Sequence, residues 1–160
     1  MSASIQNEVD IKNEHPLFRF RQKKLIQVVQ IILKALKYKN TYLSLVFVSD
    51  RQIKKLNRLY LRHPWVTDVI AFPSSQPQTR KHPAFLGEVI IAPSRAKNYA
   101  QKNKLSIHEE LLRYICHGIL HLHGLKDKSK QDQAKMRRME DKLIALIPAR
   151  LRTVLYGYLS

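Results

Sequence analysis

The stretch HGILHLHGLKD, residues 117–127, contains a helix end and three residues that can ligate a metal ion. A helix carrying His117 and His121 one turn apart presents both imidazoles on one face, where they can reach the same ion. Gly124 allows the left-handed turn that ends helices, so the chain can fold back and bring Asp127 to that ion. Three ligands with an open position are typical of a catalytic metal site, because structural zinc is closed by four ligands.

The same spacing occurs in metzincin-type proteases, whose motif is HExxHxxGxxH. Those enzymes use the Glu after the first His as general base for the metal-bound water. This chain has Gly118 at that position, which accepts no proton. The sequence therefore disfavours peptide hydrolysis, although a zinc metalloprotease stays an alternative. Two His and one carboxylate also suit non-haem Fe(II), so the identity of the metal is open.

Basic residues far outnumber acidic ones. Lys and Arg total 29 against 12 Asp and Glu, which gives a formal net charge of +17. A field of this sign concentrates polyanions, and binding to phosphates releases counterions. The basic residues are spread along the chain without a single basic amphipathic anchor, which argues against a membrane surface as the partner. We therefore expect a nucleic acid partner and no membrane.

Length and composition favour one domain spanning residues 1–160 in a reducing compartment. The chain is 44% hydrophobic, yet it contains no apolar run long enough to cross a bilayer. Its first residues are polar and acidic, unlike a signal peptide, so we expect a cytoplasmic protein. The single cysteine, Cys116, cannot form an internal disulfide and is interpreted as a small buried hydrophobe.

Helical and strand patterns alternate along the chain. Strands are predicted at residues 6–13, 42–48, 69–72 and 86–91, and helices at 21–38, 51–60, 94–103, from 106 through the two histidines, and at 130–147. Ser49 and Asp50 offer N-cap side chains, Pro93 can open a helix, and Ser106 with Glu109 predicts a capping box. The predicted fold class is α/β (α+β), a small mixed β-sheet packed against several helices with the metal site at a helix end.

Two segments are expected to lie outside this packed arrangement. Residues 73–85 begin with a polar, proline-rich stretch that lacks periodicity and predicts a mobile loop. Residues 148–160 follow a proline that should end the last helix, and they are predicted to form a basic, aromatic tail.

Three blocks of this sequence resemble, in the same order, the YbeY family of bacterial endoribonucleases. HGILHLHG, residues 117–124, reproduces the first eight positions of the family signature HGxLHLxGYDH. SDRQIKKLNRLYL, residues 49–61, followed by VTDVIAFP, residues 66–73, resembles an upstream block that ends in a TDVLSFP-like strand. LGEVIIAP, residues 86–93, resembles the family's LGDIVIS strand.

The resemblance implies that His117 and His121 are zinc ligands, with the family's third His replaced by Asp127. A carboxylate also binds zinc, but it lowers the net charge of the site by one and should make the bound water less acidic. The family's arginine falls on Leu61, so its phosphate-binding role is assigned to Arg62, with Arg58 as the alternative.

Two further residues near the signature receive weaker roles. Lys126 stands where the family often has Asp, beside the third ligand, and can contact a phosphate. His123 lies off the helical face shared by the two histidine ligands, so we expect it to be exposed or to support the site indirectly.

The resemblance further implies a metal-dependent, single-strand-specific endoribonuclease with one zinc ion per chain. Its role would be rRNA maturation, specifically small-subunit rRNA 3′-end processing, and ribosome quality control, with single-stranded RNA, rRNA and pre-ribosomal particles as partners. Beyond the metal-bound water no catalytic group is assigned, and either that water or the RNA 2′-OH can be the nucleophile. The alternatives are a non-catalytic rRNA-binding ribosome assembly factor with a structural metal, and the metalloprotease.

Overall fold

Strands and helices alternate in the computed structural model, which describes residues 6–61, 67–75 and 83–158. The strands are β1 Glu8–Asn13, β2 Phe18–Phe20, β3 Thr41–Phe47, β4 Val69–Pro73, β5 Ala84–Ile91 and β6 Leu155–Tyr158. The helices are α1 Gln22–Ala35, α2 Asp50–Tyr60, α3 Pro93–Asn103, α4 Ile107–Leu122 and α5 Lys130–Ala145, followed by a 3-10 turn at Ala149–Leu151. None of the described helices is both long and apolar enough to span a bilayer.

The main sheet has the strand order β1-β3-β5-β4, in which β1, β3 and β5 are parallel and β4 runs antiparallel to β5. Alternation along β3 sends Leu43, Leu45 and Phe47 to the face covered by α1 and α4. Val46 and Val48 point to the opposite face, where they pack with residues of α2. The predicted α/β class with a small mixed sheet and several helices is therefore confirmed.

Helix α4 lies against β4 and β5 and places the candidate site at its C-terminal end. Beyond Leu122 the backbone of Gly124 adopts a φ of +105°, which reverses the chain. The amide of Leu125 donates to the carbonyl of Leu120 at 3.0 Å, and the amide of Gly124 donates to the carbonyl of His121 at 3.0 Å. These two hydrogen bonds form a Schellman motif, so the predicted glycine turn is present.

Helix starts agree with the predicted caps except at α4. Ser49 caps α2 in a capping box with Gln52, and α3 begins with Pro93. Ser106 is the N-cap residue of α4, but its side chain makes no capping hydrogen bond, so the capping box predicted with Glu109 is wrong. The motif requires both side chains to fold back onto the first turn, and a four-residue pattern alone does not determine those rotamers.

A second sheet, formed by β2 and β6, was not predicted from the sequence. Phe18 pairs with Tyr158 across this sheet, with ring centroids 4.7 Å apart, and Phe18 is fully buried. The segment predicted as a tail therefore contains a paired strand, and residues 159–160 lie outside the described residues. The predicted loop is shorter at both ends, because Pro73 ends β4 and Ala84 begins β5; residues 76–82 lie outside the described residues.

Candidate metal centre and its cleft

Three side chains converge at the C-terminal end of α4. The Nε2 atoms of His117 and His121 are 3.0 Å apart, and each lies 3.3 Å from Oδ2 of Asp127. Tetrahedral zinc with bonds of about 2.0–2.1 Å separates its ligand atoms by about 3.3 Å. The predicted triad is therefore brought together at distances that suit a single metal ion.

Each imidazole is held on the side that faces away from the triad. Nδ1 of His117 donates to Oε1 of Glu140 at 3.0 Å, and Nδ1 of His121 donates to the carbonyl of Leu125 at 3.0 Å. A carbonyl or carboxylate oxygen accepts only, so Nδ1 carries the proton and Nε2 presents a lone pair. Two lone pairs and a carboxylate facing one another repel unless a cation lies between them. This donor set fits a divalent metal ion.

Glu140 of α5 is 5% exposed and uses both of its oxygens. Oε1 accepts from His117, and Oε2 lies 3.3 Å from Nη1 of Arg113, which is also 2.9 Å from Oδ1 of Asp141. Burial lowers the pKa of Arg113, but hydrogen bonds to Asp141 and Glu140 outweigh this effect and leave the pKa raised. A charged guanidinium therefore neutralises the buried carboxylate that orients His117.

The position of Asp127 depends on the turn after α4 and on the start of α5. Gln133 donates from Nε2 to the backbone carbonyl of Asp127 at 3.1 Å. Two residues beyond Asp127, Ser129 caps α5 in a capping box with Asp132. The short connection is thus held at both ends, which keeps the third ligand near the two imidazoles.

The triad lies in a cleft of about 410 Å³. Besides the triad and Glu140, its lining consists of Thr67, Asp68 and Val69 at the start of β4, Tyr99 of α3, Glu110, Arg113 and Tyr114 of α4, and Arg137 of α5. The lining thus contains the cations Arg113 and Arg137 together with several carboxylates. The cleft therefore offers groups for both phosphate oxygens and hydrogen-bond donors of a ligand.

Gly118 faces the sheet and not the cleft. A Cβ atom at this position would lie 2.3 Å from Cγ1 of Val89 and 3.0 Å from Cγ1 of Val69. The close approach of α4 to the sheet therefore requires glycine, and the Glu of a zincin protease has no room here. Cys116 is fully buried, as predicted, and burial raises the pKa of its thiol to about 12, so it is unreactive.

Of the other residues singled out from the sequence, Arg58, Lys126 and His123 belong to the described part of the chain, and none of them is a member of the triad. Arg58 is exposed on α2 and does not line the cleft, and Arg62 lies outside the described residues. Lys126 is exposed beside Asp127. Nδ1 of His123 lies 2.8 Å from the hydroxyl of Tyr38, so this exposed residue joins the end of α4 to the chain beyond α1 and is not a ligand.

Glu140, Arg113 and Glu110 line the cleft but were not identified from the sequence. Glu110 and Arg113 precede His117 by seven and four residues, which places all three on one side of α4. Glu140 occurs among the apolar positions Met136 and Leu143 of α5. A carboxylate among the apolar positions of a helix indicates a buried group that needs a partner, and this signal could have identified Glu140.

Fold and site together define a mixed α/β protein with a candidate three-ligand metal centre at a helix end, inside a polar cleft. The family model described as Endoribonuclease YbeY matches residues 7–147. The chain therefore belongs to the YbeY family of endoribonucleases, as the three sequence blocks indicated.

Relatives in this family cover most of the chain. A Porphyromonas gingivalis protein is 39% identical over 105 residues, which are 66% of either chain. A Cytophaga hutchinsonii protein is 33% identical over 134 residues, covering 83% of this chain and 91% of the relative. Both relatives are named Endoribonuclease YbeY. The solution structure of a Thermotoga maritima protein shares the fold, with a TM-score of 0.56 at 24% identity over 86% of this chain and 89% of that one.

Proposed function

We propose that this protein is a metal-dependent endoribonuclease that cuts single-stranded RNA. Its membership of an endoribonuclease family supports the reaction class. The observation that carries the metal dependence is the convergence of His117, His121 and Asp127 at 3.0–3.3 Å, with the proton of each imidazole held on Nδ1. We propose zinc as the resident ion, one per chain, since two imidazoles and one carboxylate are ligands that zinc accepts.

When bound, the ion would supply charge stabilisation at the phosphodiester and acidify a water molecule. The chain's own residues would orient the imidazoles and position the RNA. Glu140 and the carbonyl of Leu125 keep both Nε2 lone pairs directed at the centre. Arg137 lines the same cleft, where its guanidinium can hold a phosphate oxygen of the RNA backbone.

The family and the net charge together suggest which RNA is the substrate. A net charge of +17 suits a large polyanion, and rRNA within a pre-ribosomal particle is the polyanion that the family resemblance implies. We therefore propose a cytoplasmic role in rRNA maturation, at the 3′ end of small-subunit rRNA, and in ribosome quality control.

A non-catalytic rRNA-binding assembly factor with a structural metal is the second candidate. It is favoured because, among the described residues, no carboxylate besides Asp127 and Glu140 forms a hydrogen bond or ion pair with the two imidazoles. A proton-transfer group in contact with the triad is therefore not part of the described site.

Cleavage of an end-labelled single-stranded RNA separates the two candidates. The endoribonuclease should cut the RNA, and both a chelator and His121→Ala should abolish cleavage. His121→Ala protein must be purified identically, because contaminating nucleases would mimic the activity. If the wild type binds RNA without cutting it, or if His121→Ala cuts equally fast, the nuclease proposal fails. Chelator-sensitive cleavage of casein would point to the protease instead.

A further inference from the structure

Toward the N-terminal end of α4 the cleft is lined by Glu110 and Tyr114, and Tyr99 of α3 also lines the cleft. Glu110 lies seven residues before His117 on α4, about 10.5 Å along the helix axis and on nearly the same side. Both residues line the same cleft. A ligand extending from the metal centre along α4 would therefore reach Glu110.

Two polar side chains at this end are buried without a protein partner. Glu110 is 6% exposed and Tyr114 is 9% exposed. Within residues 6–61, 67–75 and 83–158, neither side chain forms a hydrogen bond or an ion pair. Their polar atoms still reach the cleft, because Oδ1 of Asp50 is the only fully buried side-chain oxygen or nitrogen without a partner in the described part of the chain. Two largely buried side chains whose unpartnered polar atoms line one cleft point to a ligand.

The carboxylates of the cleft also affect the tyrosine hydroxyl. Burial raises the pKa of Tyr114, and the negative charges of Asp68 and Glu110 raise it further, so the hydroxyl keeps its proton and can donate to a ligand. Asp68 is engaged by Arg95, with Oδ1 and Nε 3.1 Å apart. The carboxylate of Glu110 is therefore the acceptor left available to a ligand.

Tyr99 adds a large aromatic surface to the same cleft. Its side chain is 49% exposed on α3, although it lines the cleft. Aromatic rings exposed beside a backbone-binding groove serve as platforms on which bases of single-stranded nucleic acids stack.

We propose that this end of the cleft is a nucleobase pocket, in which a base stacks on Tyr99 while Glu110 and Tyr114 bind its Watson–Crick edge. The inference rests on the proposed function, because a base reaches the pocket only when RNA occupies the cleft. Guanine fits best, since its N1–H and N2 amino group offer two adjacent donors to one carboxylate. Uracil presents a single N–H between two carbonyl oxygens, and those oxygens repel the carboxylate.

Binding of four uridine octamers tests the pocket. Each octamer carries G, A, C or U at one central position, and fluorescence anisotropy is measured where a gel shows the RNA intact. The guanine octamer should bind about fivefold to a hundredfold more tightly than the all-uridine one, the range for one bidentate base contact. Glu110→Gln should bring this ratio close to one. Tyr99→Leu should weaken all four octamers similarly, because stacking tolerates any base.

Glu109→Gln is the matched control, because this exposed neighbour removes the same charge. Tyr114→Phe removes only a hydroxyl and serves as a second probe should Glu110→Gln fold poorly; it should reduce the guanine preference. Equal binding of the four octamers by the wild type, or equal loss of preference in Glu109→Gln and Glu110→Gln, would overturn the pocket and leave the nuclease intact. If no octamer binds, the proposed function fails together with the pocket.

Discussion

At the scale of single residues, the candidate metal centre is defined by side chains that hold one another in place. His117 and His121 supply the imidazoles, and Asp127 supplies a carboxylate where the family signature has a third His. Since Glu140 and Leu125 fix the tautomers, the imidazoles need no rearrangement to bind an ion. Pre-orientation of this kind favours tight binding even with only three protein ligands.

We expect His117→Ala to lose its metal. Removing a ligand should weaken affinity by more than the roughly 10–100-fold caused by losing a partner behind a ligand. Elemental analysis after dialysis against a chelator measures the stoichiometry. His123→Ala is the control, because His123 binds Tyr38 and not the centre, so this variant should retain metal. Full metal content in His117→Ala would contradict the assignment of His117 as a ligand. Asp127→His should keep its metal, because imidazole is also a zinc ligand.

The raised pKa of Glu110 predicts that the difference in stability between Glu110→Gln and the wild type depends on pH. Burial raises its pKa above the ordinary value, opposed by Arg113 and Arg137 and assisted by Glu140 and Asp68. A raised pKa in the folded state means that ionisation destabilises the fold. The stabilising contribution of the neutral acid is thus complete below the unfolded pKa, about 4.3, and is lost as pH rises through the folded pKa.

Glu110→Gln should therefore melt at a higher temperature than the wild type at pH 8, and the difference should shrink toward pH 4. Thermal melts in excess chelator across this range measure it without interference from metal binding. Glu109→Gln should show no such pH-dependent gain, because Glu109 is exposed. A constant difference between Glu110→Gln and wild type at all pH values would contradict the prediction.

At the scale of secondary-structure elements, α4 joins the core to the site. Its apolar face packs into the core through Leu111, Ile115 and Ile119, and its other face carries the two histidines. Gly118 brings the helix close to β5, so the orientation of the ligands depends on this contact. A displacement of α4 would move both imidazoles relative to Asp127, which belongs to the following turn.

Gly118→Ala should destabilise the protein, although alanine favours helices over glycine by about 1 kcal/mol. Its Cβ would lie 2.3 Å from Cγ1 of Val89, and overpacking of this kind costs about 1–3 kcal/mol. Denaturant unfolding measures the free energy. Adding Val89→Ala to Gly118→Ala removes the close contact. The double variant should therefore lose less free energy of unfolding than the two single variants lose together. An increase in stability for Gly118→Ala alone would refute the close approach.

At the scale of the whole molecule, we expect charge to govern the proposed interaction with RNA. The excess of Lys and Arg produces a long-range positive field, while the cleft itself also contains carboxylates. Affinity should therefore come mainly from phosphate contacts outside and along the cleft, and selectivity from groups within it.

Affinity for single-stranded RNA should fall steeply with salt, with a slope of log K against log salt of about −0.7 for each phosphate contacted. Arg137→Gln should make the slope less negative by about 0.7 if Arg137 holds one phosphate. Arg138→Gln removes the same charge from an exposed position of α5 that does not line the cleft, and it should change the slope less than Arg137→Gln does. Titrations between low and physiological salt measure both slopes, and a flat wild-type line would exclude the phosphate-dominated mode.

Local patterns in the sequence were sufficient for most helices and strands and for the candidate ligands. The candidate ligands His117 and His121 are four residues apart on one helix, and Gly124 ends that helix three residues later. Asp127 follows within the same turn. Such relations depend on helix periodicity and on the conformational freedom of glycine, both of which act over a few residues. The convergence of the triad was predictable for that reason.

The remaining features required tertiary structure because they join residues distant in the chain. Glu140 meets His117 only when α5 packs on α4, and Phe18 pairs with Tyr158 from the opposite end of the chain. The sequence indicates only that position 118 lacks a catalytic base, whereas packing against Val89 explains why it is glycine. The sequence by itself determined the fold class and the candidate metal ligands. Only the packed structure decided which groups orient those ligands and which buried carboxyl faces the cleft, since burial and long-range contacts have no local periodicity.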